Sequence, residues 1–258
     1  MKTWRFIDTG PLDAYMNMAI DEAIMKAVES GISPPTLRFY GWSSPSLSIG
    51  YFQKTEREIN TDACLSLGIP VVRRPTGGKA VLHKIELTYS ISSKTDSPLF
   101  SKGLMETYRV ISHGLLKGLR NLGIDAEISE KRIQRKRSPA CFSATAPYEI
   151  TVKGRKIIGS AQKRSNGVFL QQGSILIDLD LALYCLIFPA EEKPSRQMTA
   201  ISIETAKDIK SIRPSFIKGI EESFGIKLEH QNLTPYELEC AEILVREKYS
   251  KDEWNFRM

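Results

Sequence analysis

An α+β fold is expected for this 258-residue chain on three observations. Short runs rich in β-branched and aromatic residues cluster in its first two thirds, joined by glycine-rich breaks. Amphipathic helical stretches stand near the N-terminus, in the middle and through the last third. The two kinds of segment do not alternate regularly, so the helices should flank a mixed sheet rather than cross over strand by strand.

The elements read in order as follows. "LDAYMNMAIDEAIMKAVESG" repeats Met16, Ala19, Ile20, Ala23, Ile24 and Ala27 at helical spacing, and Gly31 suits the C-terminal cap. "TLRFYGW" and "SLSIGYF" are strand-like and separated by "SSP". Strand character returns in "IPVVRR", breaks at "PTGG", and resumes in "KAVLH" and "LTYSIS". A helix is predicted from Gly103 to Leu122, stopped at Gly123. "YEITVKGRKIIGSAQKR" reads as a hairpin turning at Lys153-Gly154, and "GVFLQQGSILIDL" as a further strand pair. The last third is expected to be helical, from about Lys207 to Phe224 and from Pro235 to Tyr249. The second of these opens on a capping box, with Thr234 as N-cap and Glu237 three residues on.

Composition narrows the function classes. The length allows a substantial core without disulfide or metal staples, and no linker or repeat divides residues 1–258, so one continuous domain is expected. The N-terminus has no apolar core of signal-peptide length, and no apolar run approaches the roughly 18 residues of a membrane span. A cytoplasmic protein with no membrane partner is expected. Cys64, Cys141, Cys185 and Cys240 show no CxxC spacing and no adjacent histidine, which argues for free thiols and against a metal site. Net charge is +6, with a pI near 9.0. That balance suits nucleic acid or an acidic protein equally, but stacking aromatics are sparse and nucleic-acid signatures absent. Five basic residues stand between Lys131 and Arg137 with no acidic one among them.

Three stretches carry candidate chemistry. "RRPTGGKAVLH" sets Arg73, Arg74, Thr76, Gly77, Gly78 and His83 between two strands. Its glycines let backbone amides approach an anion or a carbonyl oxygen, and the competing reading is a tight turn with surface arginines. A lone histidine such as His83 is more often structural than catalytic. Lys156 in "GRKIIGSAQ" is either an outward strand lysine or, in a half-apolar setting, a base or fixed cation. Cys141 in "RSPACFSAT" has the strongest local case for a nucleophile: loop access, with basic residues before it and Lys156 after it. Cys64, Cys185 and Cys240 lie beside apolar residues in helix-like segments and read as core or near-core.

Taken together, "NMAIDEAI", "LRFYGW", "SLSIGYFQ", "VVRRPTGGKAVLH", "ELTYS", "ACFSATAPYEITVKGRKIIGSAQKR", "LQQGSILIDLD" and "LTPYELECAEILVREKYSKDEWNFR" resemble the lipoate-protein ligase A and octanoyltransferase branch of the biotin/lipoate ligase superfamily. The resemblance runs almost end to end, and is most like the cysteine-dependent octanoyltransferases. It implies a mixed sheet holding an acyl chain in a tunnel, no cofactor, Cys141 as acyl carrier and Lys156 as its activating partner. Backbone amides around Gly77 and Gly78 become candidate oxyanion donors, and Gly159, Ser160 and Ala161 join the substrate-binding residues. The implied donor is octanoyl-acyl carrier protein. The implied acceptor is a lipoyl domain, such as glycine cleavage H protein or a 2-oxoacid dehydrogenase acyltransferase subunit. An ATP-dependent single-domain lipoate ligase, an amidotransferase between lipoyl proteins and a binding-only relative are the alternatives. The accessory domain that some ligases carry after the "EKYSKDEWN" segment is not expected. Lys84, Ile85 and Gln172 depart from the "LHDHELTYS" and "LQHGS" of many relatives.

Overall fold

Two sheets meet at the centre of the computed structural model, which describes residues 2–54, 59–129, 140–143, 148–190 and 193–257. The strands are β1 (Lys2–Leu12), β2 (Thr36–Trp42), β3 (Ser46–Ile49), β4 (Val71–Arg73), β5 (Val81–His83), β6 (Glu86–Lys94), β7 (Glu127–Ile128), β8 (Ile150–Val152), β9 (Arg155–Ser165), β10 (Val168–Leu176) and β11 (Ile226–His230). The helices are α1 (Ala14–Glu29), α2 (Thr61–Ser66), α3 (Leu104–Asn121), α4 (Leu181–Ile187), α5 (Ile201–Glu204), α6 (Ile212–Phe224), α7 (Pro235–Leu244) and α8 (Asp252–Asn255). The large sheet has eight strands in the order β11-β1-β2-β6-β10-β9-β8-β7; the small one has three, β4-β3-β5. Among the described strands, β1 pairs in parallel with β11 and β2, and β3 with β4, while the other strand pairs are antiparallel, so the mixed α+β architecture stands.

Strand alternation assigns the two faces of the large sheet. Along β2, Leu37 and Phe39 enter the apolar cluster under α3 and α6, while Tyr40 and Trp42 enter the cluster under α1 and α7. A third cluster surrounds the small sheet and takes in Leu47, Ile49, Phe142, Leu176 and Met198. α1 begins where the Asp13 side chain accepts from the Tyr15 and Met16 amides, both at 2.9 Å. Its buried face carries Met18 and Ile24 but also Asp21 and Glu22, whose charges are met inside the fold. The Thr234–Glu237 capping box is present. The β8–β9 hairpin turns at Lys153 and Gly154, with φ of 50° and 72°, the left-handed pair that a tight right-twisted hairpin requires.

Several expectations are corrected. "GVFLQQGSILIDL" holds one nine-residue strand, β10, because its whole length pairs with β6 from Val168–Lys94 to Leu176–Glu86. The last third is not wholly helical: β11 pairs in parallel with the N-terminal strand β1, an element the sequence reading left unassigned. The helix predicted from Lys207 starts at Ile212 after a 3-10 turn, and the one predicted to Tyr249 changes to a π-helical turn after Leu244. Cys185 is exposed on α4 rather than in the core, whereas Cys64 is buried and Cys240 half-buried. The basic run from Lys131 to Arg137 lies outside the described residues. Among the described residues no helix is long and apolar enough to cross a membrane, and no three His, Cys, Asp or Glu side chains group to hold a metal ion.

Candidate active site

Cys141 stands where the two sheets join. Ala140 bridges Ala80 beside β5, and the Cys141 amide donates to the Ala80 carbonyl at 2.8 Å. The thiol therefore opens a short 3-10 turn, Cys141–Ser143, whose Phe142 is buried in the third cluster while Cys141 itself stays half-buried. A cysteine clamped this way has a fixed backbone and an accessible sulfur, as a nucleophile requires.

Lys156 approaches from β9 and is only 1% exposed. Its outward position on the hairpin is covered by the segment 197–199: the Lys156 amide donates to Gln197 O at 2.8 Å, and the Thr199 amide to Lys156 O at 2.9 Å. The ammonium then turns inward. Nζ donates to Glu149 Oε1 at 2.5 Å and to Cys141 O at 2.9 Å, and lies 3.5 Å from Cys141 Sγ. Burial alone would lower its pKa, but the facing Cys141 sulfur and the Glu149 carboxylate outweigh burial and hold it above the usual lysine range. In the resting enzyme this geometry holds Lys156 as a buried ammonium facing the Cys141 sulfur. Gly159 leaves room for the pair: a Cβ there would sit 3.0 Å from Lys156 Cε and 3.4 Å from Cys141 Sγ.

A narrow cavity opens beside the sulfur, lined by α1, both sheets and the middle of β9. Its wall includes Arg74, His83, Cys141, Gly159, Ser160 and Ala161 of the sequence-predicted residues. The His83 ring lies flat on Trp42 at 3.9 Å. Its Nδ1 bonds Glu86 at 2.8 Å and its Nε2 bonds Ser48 Oγ at 2.7 Å. Arg74 donates to Ser48 Oγ at 3.1 Å and to the Gly77 and Lys79 carbonyls, both at 2.7 Å. Thr76 stands just behind the wall and donates to Gln172 Oε1 at 2.8 Å.

Other predicted residues are placed elsewhere. Arg73 turns away from the cavity; its guanidinium binds the Gly50 and Gln53 carbonyls at 2.8 Å and the Trp254 and Arg257 carbonyls at 3.1 Å, fastening a loop to the C-terminal segment. Gly77 and Gly78 do not line the cavity. They shape the turn around Arg74: a Cβ on Gly78 would lie 2.9 Å from Arg74 Nη2, and one on the facing Gly50 would lie 1.9 Å from the Gly78 carbonyl oxygen. Lys84 pairs with Asp180 at 2.6 Å, and Ile85 is exposed; both border a separate cleft. Gln172 alone of the three departures lines the cavity beside Cys141.

Sequence reasoning missed Glu149 and Glu86. Glu149 stands in the quoted "APYEIT", and a carboxylate seven residues before a candidate lysine across a hairpin was the available signal. Glu86 is buried with its carboxylate accepting from His83, Thr88 and Ser174. Burial raises its pKa, but His83 and those hydrogen bonds outweigh this and hold it below the ordinary carboxylate range.

Known proteins share both sequence and fold. The model of the lipoyl protein ligase A/B catalytic domain matches residues 13–232. Octanoyltransferase LipM of Geobacillus kaustophilus is 45% identical, with 99% of each chain covered. Octanoyltransferase LipM of Bacillus subtilis is 42% identical, again over 99% of each chain. Among solved structures, lipoate-protein ligase A bound with ATP superposes with a TM-score of 0.85 at 28% identity over 99% of both chains. A bipartite lipoate protein ligase from Thermoplasma acidophilum gives 0.84 at 26% identity, covering 99% of this chain and 97% of that one. With its sequence and its fold in agreement, the chain belongs to the lipoyl protein ligase A/B catalytic-domain family.

Proposed function

We propose that this protein is an octanoyltransferase of lipoate biosynthesis that carries the acyl group as a thioester on Cys141. Octanoyl transfer is supported by relatives of that name at 41–45% identity across the whole chain. The single observation behind the cysteine is the buried Lys156 ammonium, locked by Glu149, 3.5 Å from the sulfur of a cavity-lining thiol. A positive charge at that distance stabilises the negative charge the sulfur carries as it attacks and as it later leaves.

The chemistry then runs in two steps. The Cys141 thiolate attacks the carbonyl of an octanoyl thioester; the donor sulfur leaves and takes a proton from Lys156, so the acyl-enzyme sits beside a neutral amine. Loss of the sulfur's charge removes one of the influences holding the lysine proton, so the ammonium gives it up more readily to the leaving sulfur. The acceptor lysine, having given one proton to solvent, attacks the Cys141 thioester. Lys156 takes the second proton, the amide forms, and the thiolate–ammonium pair is restored. Thioester exchange is close to isoenergetic and amide formation from a thioester is downhill, so no nucleotide is consumed.

Octanoyl-acyl carrier protein is our donor and a lipoyl domain our acceptor, such as glycine cleavage H protein or a 2-oxoacid dehydrogenase acyltransferase subunit. Both are acidic partners suited to a chain of net charge +6. We place the reaction in the cytoplasm, where free thiols persist. The fold is shared with ATP-dependent ligases, so the test separates the two chemistries. Octanoyl-acyl carrier protein and an unmodified lipoyl domain, mixed with enzyme without ATP, should yield octanoylated domain. Modification that instead required free acid and ATP would make the protein a ligase.

A further inference from the structure

The cavity wall is a two-row grid set by strand register. Nearest the sulfur, Gly159 on β9 pairs with Ser174 on β10, which pairs with Thr88 on β6; two residues along, Ala161 pairs with Gln172, which pairs with Ser90. Side chains two apart on a strand share a face, and the rows are about 7 Å apart. The first row is at the nucleophile, since a Cβ on Gly159 would lie 3.4 Å from Cys141 Sγ. The second row is backed by buried polar groups. Gln172 lines the cavity, and its amide donates to Asp21 at 2.7 Å and lies 3.5 Å from Met18 Sδ; its Oε1 accepts from Thr76 at 2.8 Å. Asp21 is fully buried behind it and also accepts from Arg38, Tyr40 and Ser90. Held at both ends of its amide, Gln172 has no free rotamer with which to yield to a longer chain.

We infer that Gln172, seated against Met18 and opposite Ala161, is the stop that sets the acyl chain length this enzyme accepts. The inference rests on the acyl-enzyme reading above and adds to it the residue that measures the substrate. An extended eight-carbon chain, with C–C bonds of about 1.5 Å, spans roughly 9 Å, which takes its terminal methyl from the sulfur to the second row. A longer chain would have to push its methyl into the Gln172–Asp21–Thr76 hydrogen bonds, leaving buried polar groups unpaired. A shorter chain would leave apolar wall uncovered. The departure at position 172 thus falls in the second row of the cavity wall, where a change of side chain resets depth without touching Cys141 or Lys156.

Competition within one tube tests this. Equimolar hexanoyl-, octanoyl-, decanoyl- and dodecanoyl-acyl carrier protein are mixed with enzyme, and the early adducts on the intact protein are weighed. The wild type should carry mainly octanoyl. Gln172→Ala should raise the decanoyl-to-octanoyl ratio by about tenfold or more, the usual worth of two newly buried methylenes. Ala161→Leu, which fills the second row instead, should shift the adduct towards hexanoyl. A ratio is insensitive to how much protein is folded, and the two variants move it in opposite directions, so general destabilisation cannot imitate the result. Adducts whose chain-length distribution matches wild type in both variants would overturn the stop. Absence of any adduct on wild-type enzyme would instead overturn the acyl-enzyme reading, and the stop with it.

Discussion

Two buried ion pairs, Arg5–Glu237 and Lys156–Glu149, look alike by burial and differ in what surrounds them. Arg5 on β1 donates to both Glu237 oxygens and, through Nε, to Thr36 at 3.0 Å; Glu237 also accepts from Ser33 at 2.8 Å and from the Thr234 amide at 2.8 Å. Every neighbour is a conventional hydrogen-bond partner, and the result fastens α7 to β1, the second strand of the large sheet. Around Lys156 one neighbour is a thiol, and that thiol faces a cavity. The difference teaches that a buried charge pair alone says nothing of function. What marks a reactive centre is a nucleophile placed as the third member, with open space on its far side.

The largest expected effect separates the two pairs by activity. Cys141→Ala should reduce octanoyl transfer by about six orders of magnitude, in line with loss of a serine nucleophile elsewhere, while the melting temperature stays close to wild type because a half-buried thiol is lost and the Lys156–Glu149 pair remains. Lys156→Met should lose comparable activity and also destabilise, since Glu149 is left buried without its cation; about 3–5 kcal/mol is the cost of breaking such a pair. Glu237→Ala should cost a similar 3–5 kcal/mol in denaturant unfolding through the stranded Arg5, yet the surviving folded enzyme should turn over at the wild-type rate. Equal activity losses for Glu237→Ala and Lys156→Met, per folded molecule, would erase the distinction.

Acid should act on both regions at once. Burial raises the carboxyls of Glu22, Glu86 and Glu237, but Lys248 and Tyr249, His83 with its neighbouring hydroxyls, and Arg5 with the Thr234 amide outweigh it, so all three are held below their ordinary value. The unfolded chain then takes up protons first as pH falls. The stability from these groups is fully present above the ordinary carboxylate pKa and is lost as pH drops through the folded values. Melting temperature should be flat near neutrality and fall steeply below about pH 4.5, and less steeply in Glu237→Gln.

The smallest effect concerns the thiols. Burial pushes Cys64 up to about 11. At pH 8 about one Cys64 in a thousand is thiolate, so iodoacetamide should leave it unlabelled while it modifies Cys141 and the exposed Cys185. Octanoylated enzyme should protect Cys141 and not Cys185. Peptide mapping of the alkylated protein reads both outcomes.

Much of this arrangement was legible in the sequence where the determinants are local. Helix α1, the Thr234–Glu237 cap and the Lys153–Gly154 turn follow from side-chain periodicity, capping chemistry and backbone sterics within a few residues. Cys141 and Lys156 could be singled out, but not their distance or the cation's orientation. The strand pattern alone favoured an outward Lys156, and that failed because the segment 197–199, some forty residues away, covers the outer side. Strand β1 went unassigned for a similar reason: its pairing partner β11 lies more than two hundred residues on. The roles of Arg73 and of the two glycines depended on which carbonyls and which side chain they meet, and no local pattern carries that.

Intact mass is the most direct test of Cys141 as the acyl carrier. Enzyme mixed with octanoyl-acyl carrier protein, without ATP and without acceptor, should gain the mass of one octanoyl group. The adduct should be removed by hydroxylamine, be absent in Cys141→Ala, and pass to a lipoyl domain on its addition. A lipoyl domain modified at the wild-type rate by Cys141→Ala, with no adduct on either protein, would contradict the thioester route.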